Sequence, residues 1–249
     1  MKKLLLAAPL LAILFLAREG GVTGVVTHAP HIAFATTGSL NWSGYVDYGV
    51  TFSDVKGSWT QPNVICPANK KQYASFWVGL DGFNSNSVEQ IGTESDCAGK
   101  DRPSYYAWFE MYPAPLTHLT MTIRPGDAIS AEVSSVGSLY TLTITNVTVG
   151  QTFTTKQTAA AQNSSAEWIA EAPSFCTPKR CSVLPLADFG TVNFSGSFTT
   201  GNGVTGAINN VAWNNDQVIM VTPTGTIKAQ PSALSSPEGS GFSVAWKNN

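Results

Sequence analysis

From Asn41 onward, short runs rich in valine, threonine and aromatic residues alternate with clusters of glycine, proline, asparagine and aspartate. The runs include YASFWVGL, SYYAWFEMY, LTMTI, AISAEVSSV, LYTLTITNV, AEWIAEA, GTVNFSGSF and QVIMVTP. Strands at roughly 8–12-residue intervals, with turn residues between them, predict an antiparallel β-sandwich or barrel. No segment carries the 3.6-residue apolar stripe of a surface helix. IRPGDAI and NVTVGQT read as hairpin turns in which proline and glycine set the backbone. Nothing divides residues 41–249: there is no internal repeat, low-complexity tract or linker, so they read as one all-β domain.

The alternation of faces is where the pattern departs from a plain sandwich. Side chains alternate across a strand. In VEQIGTESD, Gln90, Gly92 and Glu94 therefore share one face, which is polar where an apolar one would be expected. The same parity groups Trp77, Gly79 and Asp81 in FWVGLDG. It groups Tyr106, Trp108, Glu110 and Tyr112 in YYAWFEMY, and Glu167, Ile169 and Glu171 in AEWIAEA, with Trp168 and Ala170 opposite. A buried carboxylate without a partner is costly. This aromatic and acidic set therefore reads either as a solvated outer face or as a shallow groove.

The beginning of the chain has a different texture. Lys2 and Lys3, the apolar run Leu4 to Leu16 and the small residue Ala17 have the form of a secretory signal peptide, residues 1–17, too short to span a bilayer comfortably. Residues 18–40 lack a clear period and read as a short propeptide or an extended arm, holding His28 and His31. The expectation is a secreted, extracellular protein with no membrane attachment once the leader is gone, and a monomer by default. Charged residues are only 12% of the chain, against about 25% in typical domains. There is no basic patch for nucleic acid. A small number of carboxylates to titrate also suits an acidic medium. Export favours disulfides: Cys176 and Cys181 bracket a short loop, CTPKRC, which leaves Cys66 and Cys97 as the other pair.

The usual catalytic signatures are missing. There is no G-x-S-x-G, H-E-x-x-H, P-loop, dinucleotide fingerprint, Asp-Thr-Gly or Asp-Ser-Gly. His118 is the only histidine after the arm and sits among apolar neighbours, which suits a loop or strand edge better than a triad. No metal or other cofactor is expected.

Seven blocks in order, NWSGY (41–45), FWVGLDG (76–82), EQIGTE (89–94), YAWFEMYP (106–113), NVTVGQ (146–151), AEWIAEAP (166–173) and LPLADFGTVNF (184–194), resemble the glutamic peptidases, the eqolisin family. The resemblance runs from about Asn41 to the C-terminus. It implies a lectin-like sandwich of two packed antiparallel sheets with substrate across the concave face. It also implies a catalytic pair, Gln90 and Glu171, flanked by Trp77, Asp81, Glu94, Trp108, Glu110 and Tyr112 as substrate-binding residues. Tyr106 stands where some relatives have an acid, and the turn between Asp81 and Gln90 differs in length. The expected substrates are unfolded proteins or peptides.

A glutamate and a glutamine suffice for such chemistry. A carboxylate can take a proton from water and return it to the leaving amine. An amide both donates and accepts, so it can orient the water and stabilise the oxyanion at any pH. An ordinary glutamate titrates near 4.3, which points to acid solution. Two other classes fit the same face: a carbohydrate binder stacking sugars on Trp77, Trp108 and Tyr112, or a glycosidase built on Glu171 and Glu110.

Overall fold

A computed structural model describes residues 24–35, 38–98, 102–235 and 237–249. The leader at 1–17 lies outside the described residues, as do 18–23, 36 and 37 of the arm. The described chain is built from strands and contains no helix.

Two sheets pack face to face, as the strand spacing predicts. One runs Asn214–Val221, Trp42–Tyr48, Ser165–Glu171, Lys71–Leu80, Val88–Ala98, Pro103–Tyr112, Thr117–His118, with every neighbour antiparallel. The other runs Gln151–Thr158, Leu139–Asn146, Ala128–Val136, Phe52–Thr60, Thr191–Gly201, Phe242–Trp246, Ile227–Pro231. Strand Asn214–Val221 joins them: its first half pairs with Trp42–Tyr48 and its end with Ile227–Pro231.

Alternation decides what lies between the sheets. Phe76, Val78, Leu80, Ile91 and Trp168 of the first sheet form one buried cluster with Phe52, Val55, Val133, Leu142 and Ile144 of the second. At roughly 25 cal/mol per Å² of apolar area, this interior is the main stabilising term. The indole N–H of Trp168 donates to the Lys56 carbonyl at 2.7 Å, satisfying its one polar atom where the sheets meet. Trp42, Trp77, Trp108, Val88 and Ile169 form a second cluster on the opposite face of the first sheet. Trp77 and Phe76, adjacent in sequence, thus serve different clusters, and so do Ile169 and Trp168.

Two turn and strand expectations separate. NVTVGQT is a hairpin, with Asn146 opposite Gln151. LTMTI is not a strand, so IRPGDAI turns the chain without closing a hairpin. Side chains replace the ladder there: Thr122 N–H donates to the Gln151 side chain at 3.0 Å, and its carbonyl accepts from Asn146 at 2.9 Å.

Both expected disulfides are present, Cys66–Cys97 and Cys176–Cys181. The second lies across the hairpin of Ser174–Thr177 and Arg180–Val183. That hairpin takes Val25–Thr27 of the arm as its third strand.

Candidate active site

Register places the polar and aromatic residues of the first sheet in cross-strand rows. Glu171, Ser75, Glu94 and Tyr106 are successive partners, as are Ile169, Trp77, Gly92 and Trp108, and then Glu167, Gly79, Gln90 and Glu110. Rows on one face repeat at roughly 7 Å along a strand, so Glu171 and Gln90 flank the row that holds Trp77.

Trp77 spans that gap because its neighbours are glycines. A Cβ on Gly92 would lie 2.5 Å from Trp77 Cβ and 2.4 Å from the Phe76 carbonyl oxygen, distances that no relaxed structure contains. A Cβ on Gly79 would meet the Trp77 ring at 3.0 Å and Gln90 Cβ at 3.1 Å. The indole therefore reaches over Gly79, and its N–H donates to Glu171 Oε2 at 2.8 Å. The other carboxylate oxygen, Oε1, accepts from Asn41 Nδ2 at 3.5 Å.

The groove is filled by the chain's own arm, a feature the sequence pattern does not reveal. Glu94, Glu110, Gln90 and Glu171 are fully buried, and so is His28. The His28 ring lies flat on Trp108, with centroids 3.6 Å apart and planes 3° from parallel. Its Nε2 meets Glu94 at 2.9 Å and its Nδ1 meets Glu110 at 3.1 Å. Glu110 also accepts from the His28 backbone N–H at 2.8 Å and from the Thr27 hydroxyl. The Gln90 amide donates to the His28 carbonyl at 2.7 Å and reaches Glu110 at 3.4 Å.

The electrostatics follow from this enclosure. Burial alone would lower the His28 pKa, but the Glu94 and Glu110 carboxylates, with a contribution from Glu171, raise it to about 10. Both ring nitrogens then carry protons and both donate. For Glu171, burial pushes the carboxyl well above the usual range. His28 opposes this, Glu110 and Glu94 add to it, and the Trp77 hydrogen bond pulls it back in part.

Of the residues expected at the site, Trp77, Gln90, Glu94, Trp108, Glu110 and Glu171 come together around the arm. Tyr112 shares their face at the Val88 register position and packs at the edge of the aromatic cluster. Asp81 is not part of the set. Its carboxylate accepts from the N–H groups of Gln162, Asn163 and Ser164 and from the Ser164 hydroxyl, at 2.6 to 2.9 Å, so it holds that loop instead. His118 lies exposed on a short strand, its ring packed on Tyr106. Three residues that touch the site escaped the sequence reading of it: Thr27, His28 and Asn41. Only the grouping of histidines in an otherwise aperiodic arm gave a signal.

Residues 40–236 match the family described as the Peptidase A4 family. The chain belongs to this family of glutamic peptidases. It is 32% identical over 192 residues to aspergillopepsin-2 of Aspergillus niger, an alignment covering 67% of this chain and 66% of that protein, just under two thirds of its length. Among solved structures it resembles aspergilloglutamic peptidase from Aspergillus niger, with 28% identity, 71% of this chain and 99% of that one covered, and a TM-score of 0.57. Scytalido-glutamic peptidase, solved with a transition state analog inhibitor, shares the fold at a TM-score of 0.72 and 22% identity, with 83% and 98% covered. All seven blocks that carry the resemblance to the glutamic peptidases lie inside the matched residues.

Proposed function

We propose that this protein is a secreted endopeptidase of acidic media in which Glu171 and Gln90 activate water directly, with no covalent intermediate. The supporting observation is the 2.7 Å hydrogen bond from Gln90 to the carbonyl of an extended peptide segment lying in the groove, beside Glu171. A peptide carbonyl held there by the amide is what a peptidase groove must accept.

In this reading the Gln90 N–H polarises the scissile carbonyl and then holds the oxyanion. Its buried Oε1 has no partner among the described residues and can accept from the attacking water. Glu171 as the carboxylate removes a proton from that water and returns it to the leaving nitrogen. Trp77 and Asn41 fix the Glu171 carboxylate, which limits the reorganisation the reaction requires. Glu94, Trp108, Glu110 and Tyr112 receive the substrate.

The raised Glu171 pKa refines the expected pH dependence. A base must be unprotonated, so with the arm in the groove the acid limb lies above the 4.3 of an ordinary glutamate. The leader and the disulfides support export. The experiment is hydrolysis of unfolded casein from pH 3 to 8 with pepstatin present. Cleavage on the acid side of neutral is expected, and no cleavage at any pH would overturn the reading.

A further inference from the structure

The arm does more than cover the groove: it lies across it in the manner of a substrate, with one peptide bond at the centre. On one side of that bond the His28 carbonyl accepts from Gln90 at 2.7 Å. On the other, the Ala29 carbonyl accepts from Asn41 Nδ2 and from the Trp42 indole, both at 3.1 Å, and Asn41 is itself the partner of Glu171. The chain is anchored on both sides of that bond. Val25–Thr27 pairs with Ser174–Thr177 upstream, and His31 N–H donates to the Gly82 carbonyl at 3.0 Å downstream. Gln90 thus contacts the carbonyl of the His28–Ala29 bond directly, and Glu171 is joined to the Ala29 side of it through Asn41.

The side chain on the acyl side of that bond has a pocket matched to it. Trp108 supplies a flat floor, and Glu94 and Glu110 supply one acceptor for each ring nitrogen. Lysine or arginine would not present two donors on opposite edges of a small aromatic ring. Phenylalanine would stack but leave two buried carboxylates unpaired, which is costly.

We propose that Glu94, Trp108 and Glu110 form a subsite selecting histidine as the residue whose carbonyl is attacked, and that the first bond so cleaved is the chain's own His28–Ala29. The inference rests on the peptidase reading of Gln90 and Glu171. In the step, water oxygen bonds to the His28 carbonyl carbon and one water proton passes to Glu171. The C–N bond to Ala29 then breaks and Glu171 returns that proton to the departing amine. One water is consumed, a carboxyl terminus forms at His28, and Ala29 becomes the new N-terminus.

The test has two arms. The full chain, wild type and Glu171→Gln, is purified at pH 8, shifted to pH 5 and followed by intact mass and N-terminal sequencing. Wild type is expected to acquire an N-terminus at Ala29 while the variant does not, and His28→Leu should slow that cut at least about tenfold, as for loss of hydrogen bonds to charged groups. In parallel, two peptides differing only in histidine or phenylalanine before the cleaved bond are compared by kcat/KM. Wild type should favour histidine at least about tenfold, and Glu94→Gln should bring the ratio towards one. If casein is cleaved but the arm is cut elsewhere, or histidine brings no advantage, the subsite proposal is overturned and the peptidase reading stands. If wild type cleaves neither casein, peptide nor arm, both are overturned.

Discussion

The indole N–H of Trp77 donates to Glu171 Oε2 at 2.8 Å, and the same ring lies against Gly79 beside Gln90. One aromatic side chain thus fixes the acid and forms the wall next to the amide. The hydrogen bond stabilises the charged carboxylate and so lowers its pKa, opposing the effect of burial.

Trp77→Phe should therefore act in two ways. The catalytic rate should fall by about tenfold or more, because a hydrogen bond to a charged group is worth about 1.5–3 kcal/mol. The acid limb of the pH–rate profile should also move upward, since the remaining influences on Glu171 mostly raise its pKa. A pH profile of kcat/KM checks both. A purely structural role for Trp77 would lower activity and leave the limb where it was.

The buried acids should make the fold more stable in acid than in alkaline solution. Burial raises Asp47 and Asp96 to about 9 and Glu89 to about 8. Both Asp47 oxygens and both Glu167 oxygens are buried with no partner among the described residues. A carboxyl raised in this way favours the folded state while it is neutral. Its contribution is whole below the unfolded value near 4 and is lost as pH climbs towards the folded value. His28 acts in the same direction, contributing below 6.5 and losing that contribution as pH rises through about 10. The carboxylates facing it are Glu94, Glu110 and Glu171, with Asp96 beyond Glu94. The melting temperature of Glu171→Gln, used to prevent self-cleavage, should be at least about 5 °C lower at pH 8 than at pH 4. A rise over that interval would contradict these assignments.

The two disulfides should separate in their effects. Cys66–Cys97 spans 31 residues and ties the strand that carries Gln90 and Glu94 to the segment before Lys71–Leu80. Replacing both cysteines by serine should cost about 3–4 kcal/mol by loop entropy. Cys176–Cys181 closes only five residues, beside the arm's strand, and should cost about 2 kcal/mol. Hydrogen exchange should show its loss mainly at residues 24–28, and urea unfolding should show the first loss across the whole domain.

Gln90→Ala removes the amide without removing a charge. It should keep the far-ultraviolet circular dichroism of the parent and lose about 10²–10³ in kcat, as for a missing oxyanion donor. An unchanged kcat would assign the oxyanion contact to another group.

The period of two made much of this legible. Phe76 and Trp77, or Trp168 and Ile169, sort onto opposite faces by parity alone, and the packed clusters follow that sorting. The acidic face around Gln90 was legible as an anomaly. That it is covered was not, because the cover comes from a segment with no period of its own. His28 owes its place to Glu94, Glu110 and Trp108, 66 to 82 residues away in the chain. Asp81 was misplaced for a related reason. Its parity matches Trp77, but it lies beyond the end of Lys71–Leu80 at a φ of 68°, where strand alternation no longer sets direction.

That Glu171 supplies the base for hydrolysis is tested most directly by single-site comparison. Purified wild type and Glu171→Gln are incubated with unfolded casein at pH 5, and new amino termini are counted over time. Wild type should release them steadily, and the variant should be slower by about 10²–10⁴. Equal rates would mean that the carboxyl group of Glu171 takes no part in breaking the bond.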